Sequence, residues 1–194
     1  MITDINQLDF KKKYNYADYL TWKFQERVEL FKGRIFKMSP APNLRHQRIC
    51  GDFHGELYIH LKGKSCQVFS APFDVRLPVS FKKGEVSTVV QPDLCVICDD
   101  SILDKQGCNG SPDLVVEVLS PGNSKKEMQQ KFDLYEEAAV KEYWLVHPID
   151  ETVIVYSLNE NDEFIGSRIF SENDKITSKA IEGFKLDLNV IFNG

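Results

Sequence analysis

Residues 44–61 place apolar side chains at Ile49, Phe53, Leu57 and Leu61, a four-residue stepping that keeps one helical face apolar. Two later segments, 94–98 and 114–119, are apolar on both faces, the pattern of strands inside a covered sheet. Between them lies a stretch with Gly107, Gly110 and Pro112, which reads as a loop. Upstream, 16–25 reads as a short amphipathic helix, and 28–31 with 34–38 as a hairpin turning at Lys32-Gly33 and stopped by Pro40 and Pro42. Strands are expected at 66–70 and 73–77, followed by a polar loop at 82–85. Ser124 and Glu127 have capping-box spacing and open a helix running to about Ala139. Further strands are expected at 143–147, 152–157 and 163–170. This order favours a mixed α/β (α+β) sandwich over an all-β fold.

At 194 residues, 42% hydrophobic and 27% charged, the chain has the composition of a soluble globular domain rather than a disordered one. One domain over 1–194 is expected, with a core at about 28–158. The net charge of −5 argues against a surface that is basic throughout. The charge is uneven, however. From Lys23 to Arg48 there are seven Lys/Arg against two Glu, while from Asp150 to Glu182 there are eight Asp/Glu against three Lys/Arg. The first sector could attract a polyanion, or both could be ordinary solvated surface. Short apolar runs and an N-terminus without a signal-like pattern predict no membrane association. Five cysteines, an odd number, then suggest free thiols and a cytoplasmic location.

Glu117 is the most informative single residue. It shares a strand face with Val115 and Leu119, and a carboxylate there must be hydrogen-bonded, paired or metal-bound. A structural ion pair or a strand end reaching solvent would satisfy it as well as a functional role. Asp93 follows Pro92 at the start of the other central strand. Two acids on adjacent strands can converge on a hard divalent cation. Asp113 shares the face of Glu117 but lies ~13 Å away at strand spacing, and reads as a loop-to-strand residue. Lys131 falls at the edge of a helical stripe formed by Met128, Phe132, Tyr135 and Ala139, from which it can reach the sheet or snorkel to water. Cys95 and Cys98 have CxxC spacing, but within a strand they face opposite ways and no second ligand pair follows, so zinc is not expected there. Of the histidines, His46 lies in the basic sector near a helix start. Phosphate-loop, dinucleotide-binding and Gly-x-Ser-x-Gly motifs do not occur.

A set of segments together resembles a known family. They are Val28-Glu29-Leu30-Phe31-Lys32-Gly33, Met38-Ser39-Pro40, Arg45-His46-Gln47, 71–77, Gln91-Pro92-Asp93-Leu94, the block 112–121 (Pro-Asp-Leu-Val-Val-Glu-Val-Leu-Ser-Pro), Lys131, Tyr135 and 142–146. The likeness, from about residue 14 to 158, is to the Uma-two family of restriction-endonuclease-like domains. It implies the PD-(D/E)xK nuclease core, with Asp93 and Glu117 matching the two motif acids. Leu119 stands where the motif lysine would be, and the family pattern places a lysine in the following helix, where Lys131 matches it. Two positions depart from the family: His147 replaces an aspartate after Trp144-Leu-Val, and Glu127 replaces an aspartate in the helix.

The resemblance implies a metal-dependent phosphodiesterase acting on DNA. Mg²⁺, with Mn²⁺ able to substitute, would be held by Asp93 and Glu117, and Lys131 would position or deprotonate water or neutralise phosphate charge. Glu29 would be a further ligand or a support to the ligands, and His46 a weaker one. A non-catalytic nucleic-acid-binding or regulatory module keeping the fold is the alternative, as is a structural homodimer. Homodimerisation is expected by analogy with nucleases of this fold, with Tyr14, Tyr16, Tyr19, Trp22 and Phe24 as a source of interface.

Overall fold

A computed structural model describes residues 1–38, 43–120 and 125–193. After a 3-10 turn at Ile5–Gln7 come a one-turn helix, α1 (Tyr16–Tyr19), and a hairpin of β1 (Val28–Phe31) and β2 (Arg34–Lys37). The long helix α2 (Leu44–Leu61) leads to β3 (Gln67–Ser70), β4 (Val75–Arg76), β5 (Val89–Val90) and β6 (Leu94–Ile97). A small hairpin, β7 (Leu103–Asp104) and β8 (Gly107–Asn109), precedes β9 (Leu114–Val118) and α3 (Lys125–Glu137). The chain continues through β10 (Glu142–His147), β11 (Thr152–Leu158), β12 (Phe164–Gly166) and β13 (Phe170–Ser171). A hairpin of β14 (Lys175–Thr177) and β15 (Lys185–Asp187) and the short helix α4 (Leu188–Phe192) complete it.

The central sheet has the order β12-β11-β10-β9-β6-β3, with β13 also on β11. Within this sheet, among the described residues, only β9 and β10 pair in parallel, and α3 is their crossover. The apolar stepping in α2 buries Ile49, Phe53, Leu57 and Leu61 against Leu94, Val96, Val116 and Trp144 on one face of this sheet. Ile181, Phe184 and Leu186 of the C-terminal hairpin region complete that layer. The opposite face, with Cys95, Val115 and Tyr143, packs against α3 and a second sheet ordered β2-β1-β5-β4-β8-β7. The architecture is therefore mixed α/β, with sheets flanked by helices. Among the described residues, no helix is long and apolar enough to cross a membrane.

Several expectations change. The helix expected at 16–25 is a single turn, Tyr16–Tyr19, whose start Asn15 and Asp18 cap reciprocally. The following aromatic residues then fold back on each other: Tyr14 meets Trp22 edge-on at 5.3 Å and Trp22 stacks on Phe24 at 5.8 Å. Tyr14, Tyr16 and Trp22 are buried with Ile5, Val28 and Leu30, so these rings are taken up by the chain's own core. The strand expected at 163–170 is two short strands, broken where the Ser167 amide donates to Val155. The loop around Gly107 carries a hairpin instead. Gly107 has φ +124°, and a Cβ there would meet the Asp74 carbonyl at 2.3 Å, so only glycine permits this approach.

Two corrections concern side chains. Cys66 and Cys98 form a disulfide, so the five thiols are not all free; Cys50, Cys95 and Cys108 are. Antiparallel β3 and β6 pair Gln67 with Ile97, and one further step in that register sets Cys66 opposite Cys98. The buried face of α3 is Lys131, Leu134 and Tyr135, followed by Ala138, not the expected stripe through Met128, Phe132 and Ala139. Phe132 still packs edge-on against Tyr156, only partly buried. Lys131 is thus at the centre of the buried face rather than at its edge. The expected stops at Pro40 and Pro42 and the capping residue Ser124 lie outside the described residues.

Candidate active site

The site forms where one end of the central sheet meets α2, α3 and β1. Antiparallel β6 and β9 pair Leu94 with Val116, and the next step places Asp93 opposite Glu117. Asp93 is fixed from both sides of its own backbone and carboxylate. Its carbonyl accepts from the Ala71 amide at 3.1 Å, and its Oδ2 accepts from the Val118 amide at 2.8 Å. The same oxygen lies 3.2 Å from His46 Nε2 on α2. His46 is positioned by the helix start, where Asn43 Oδ1 accepts its backbone N–H at 2.9 Å.

Glu117 points to the other layer. Its Oε1 accepts from Lys131 Nζ at 2.8 Å and from Tyr135 Oη at 2.6 Å, both on α3. The donors are four residues apart, one helical turn, so both reach one carboxylate from a single face. Lys131 Nζ is also 3.3 Å from Glu29 Oε1 on β1, and that oxygen accepts from the Gln91 amide at 2.8 Å. Glu29, Glu117 and Lys131 are 2%, 7% and 8% exposed, too buried for water to screen their charges. Asp113, set aside in the sequence, is indeed elsewhere: it accepts from the Cys98 amide and from Lys141.

Burial pushes the Glu117 carboxyl up, Lys131 pulls it back, and the charges of Asp93 and Glu29 add to the rise, leaving it at about 7. Burial also opposes the charge on Lys131, but Glu117 and then Glu29 outweigh it and hold the ammonium above the ordinary lysine range. Lys131 is therefore a fixed cation here, not a poised base. Burial and Glu117 keep the Tyr135 phenol protonated, as a donor. The His46 ring is raised overall: burial opposes its charge, but the hydrogen bond and charge of Asp93, with smaller contributions from the Val118 backbone and Glu117, together outweigh it.

Two buried carboxylates, Glu29 and Glu117, thus share the Lys131 ammonium, and the charge of Asp93 acts on the same group from further away. Burial is the main cause of the high Glu117 carboxyl and the neighbouring carboxylates add to it; a site with more carboxylates than cations is chemically suited to a divalent cation on oxygen ligands. A different trio gathers most closely, however. Among the described residues, the ligand-type atoms lying within 4.8 Å of one another are those of His46, Cys50 and Asp93. Cys50, Tyr135 and Gln91 were not singled out in the sequence for this site. The signal for Cys50 was available, since positions 46, 49, 50, 53 and 57 follow one helical face.

An open cleft of about 280 Å³ leads to Asp93, lined among others by Arg27, His46, Cys50, His54 and Ser70. Arg27 belongs to the basic sector and is held at the rim by Gln91 Oε1, at 2.7 and 3.1 Å. His54 and Ser70 bond across the cleft at 2.7 Å. His60, near the end of α2, contacts the Glu182 carbonyl at 3.0 Å and so ties that helix to the C-terminal hairpin region.

Comparison with known proteins bears on this arrangement. The chain is 25% identical over 185 residues to "Uncharacterized protein slr1290" of Synechocystis sp., covering 94% of this chain and 93% of that protein. Its fold is similar to that of a solved protein from Anabaena variabilis ATCC 29413, described as "a putative nuclease belonging to DUF820". The TM-score is 0.71 at 18% identity, over 93% of this chain and 98% of that one. A family profile described as "Putative restriction endonuclease" matches residues 16–189. The chain, with its two acids at one sheet end and its lysine on α3, belongs to the Uma2 family.

Proposed function

We propose that this protein is a metal-dependent phosphodiesterase that cleaves DNA, with Asp93 and Glu117 as the ligands of a Mg²⁺ ion. The observation that carries the reading is the place of Lys131. Its Nζ lies 2.8 Å from Glu117 Oε1, although Leu119 occupies the position where a motif lysine would stand. The chain thus supplies from α3 the buried positive charge that its own strand lacks. The excess of carboxylate over ammonium, and the Glu117 carboxyl pushed up to about 7, support a cation at the same place.

In this reading Asp93 and Glu117 hold the ion, which when bound lowers the pKa of an attacking water and neutralises charge on the scissile phosphate. Asp93 is oriented for this by the Val118 amide and His46. Lys131, kept protonated by Glu117 and Glu29, stabilises negative charge developing on phosphate and does not act as the base. Glu29 holds the ammonium in place. Arg27 at the cleft rim offers a contact for the nucleic-acid backbone.

A second reading has its own observation. Glu117 Oε1 already accepts from both Lys131 and Tyr135, which would equally suit a buried structural ion pair in a non-catalytic, nucleic-acid-binding member of the fold. Plasmid DNA incubated with the purified protein separates the two. Cleavage in Mg²⁺ that vanishes with a chelator and in Glu117→Gln supports the enzyme. DNA binding without cleavage in Mg²⁺ or Mn²⁺ supports the module.

A further inference from the structure

We propose that His46, Cys50 and Asp93 form a second cation site, selective for a thiophilic divalent ion such as Zn²⁺, on the wall of the open cleft. His46 and Cys50 are four residues apart on α2, so both side chains leave the helix on one face. The Cys50 Sγ lies 3.5 Å from His46 Nδ1, and Asp93 Oδ2 lies 3.2 Å from His46 Nε2. Ligand atoms of all three fall within 4.8 Å of one another. Neighbouring ligands of tetrahedral zinc are separated by roughly 3.3–3.7 Å, given bonds of about 2.0–2.3 Å. Side-chain rotation about fixed backbones closes the difference, with the imidazole giving one ring nitrogen to the ion.

The donor set decides the kind of ion. A thiolate and an imidazole with one carboxylate favour zinc over magnesium, which takes oxygen ligands and keeps its waters. The cleft supplies an entry path and room for a water as fourth ligand. Binding releases the Cys50 thiol proton to solvent as the sulfur–metal bond forms. Cys50 is accessible to this chemistry in a way that Cys95 and Cys108, both fully buried, are not.

Asp93 is common to this site and to the Mg²⁺ site proposed above. Zinc would draw Asp93 towards α2 and so oppose Mg²⁺ binding; that consequence rests on the nuclease reading, whereas zinc binding itself does not.

Cobalt(II), added to the full chain with the Cys66–Cys98 disulfide intact, tests the binding directly through thiolate-to-metal charge-transfer absorption. One equivalent should produce the band in the unaltered protein, and zinc should abolish it by displacement. The band should be absent in Cys50→Ser, with unchanged circular dichroism. In His46→Asn the zinc affinity should fall by at least about tenfold. Glu117→Gln should keep the band, so loss of nuclease activity and loss of this site are separable. No band in the unaltered protein, or a band that persists in folded Cys50→Ser, would overturn the proposal.

Discussion

Lys131 Nζ lies 2.8 Å from Glu117 Oε1 and is buried with it, although the two residues belong to a helix and a strand and stand fourteen positions apart. Neither charge would be tolerable at that depth alone. The pair is completed by Tyr135 on the same oxygen and by Glu29 on the far side of the ammonium. Because α3 is the crossover between parallel β9 and β10, its packed face is bound to lie over the strand that carries Glu117.

Lys131→Met retains the stem and removes the charge. Cleavage of plasmid DNA in Mg²⁺ should fall by a factor on the order of 10²–10³. The variant should remain folded but lose about 3–5 kcal/mol in denaturant unfolding, because Glu117 is left without its cation. Undiminished cleavage would remove Lys131 from the mechanism.

Tyr135→Phe tests the support of Glu117 rather than its charge partner. The loss of one hydrogen bond to a charged group should destabilise the fold by about 1.5–3 kcal/mol in urea unfolding. The same variant should retain metal-dependent cleavage to a greater extent than Glu117→Gln.

Glu142 makes a prediction away from the site. It is fully buried, and its carboxylate accepts from the Ser178 hydroxyl and from the Lys179 amide at 3.2 Å. Those bonds tie β10 to the C-terminal hairpin. Ser178→Ala should therefore cost about 1–3 kcal/mol in thermal or urea unfolding and raise hydrogen exchange around Ile181 and Phe184 first.

Asp174 gives a pH dependence. Arg168 grips its carboxylate at 2.6 and 3.0 Å and the Ser171 amide adds a bond, which hold it down at about 2, below its ordinary value of 3.8. A depressed carboxyl contributes stability above its unfolded value and loses it as pH falls towards the folded one. The Asp174 carboxyl carbon should titrate near 2 by NMR, and Arg168→Ala should return the midpoint towards 4.

Much of this arrangement was legible in the chain. The stepping of Ile49, Phe53, Leu57 and Leu61 fixes α2, and the two-faced apolar runs fix β6 and β9, because long periodic segments fill a core by pattern alone. The acids and the lysine are legible in three separate segments, 91–94, 112–121 and the helix at Lys131, through the resemblance those segments carry, but the depth of Lys131 is not. A lysine is read as polar on a helical wheel, so the wheel rotates the buried face away from it. The second sheet was only partly visible, because two-residue strands such as β4 and β5 carry no period. The Cys66–Cys98 bond followed from strand register, which sequence spacing does not give. Tyr135 and Gln91 entered the site only when α3 and β1 were brought together in space.

The central claim is that Asp93 and Glu117 hold one divalent ion. Crystals soaked in Mn²⁺, examined by anomalous diffraction, measure this most directly. The prediction is a single strong peak within coordination distance of both carboxylates, lost in Glu117→Gln crystals. A peak absent from that position, with Glu117 still bound only to Lys131 and Tyr135, would contradict it.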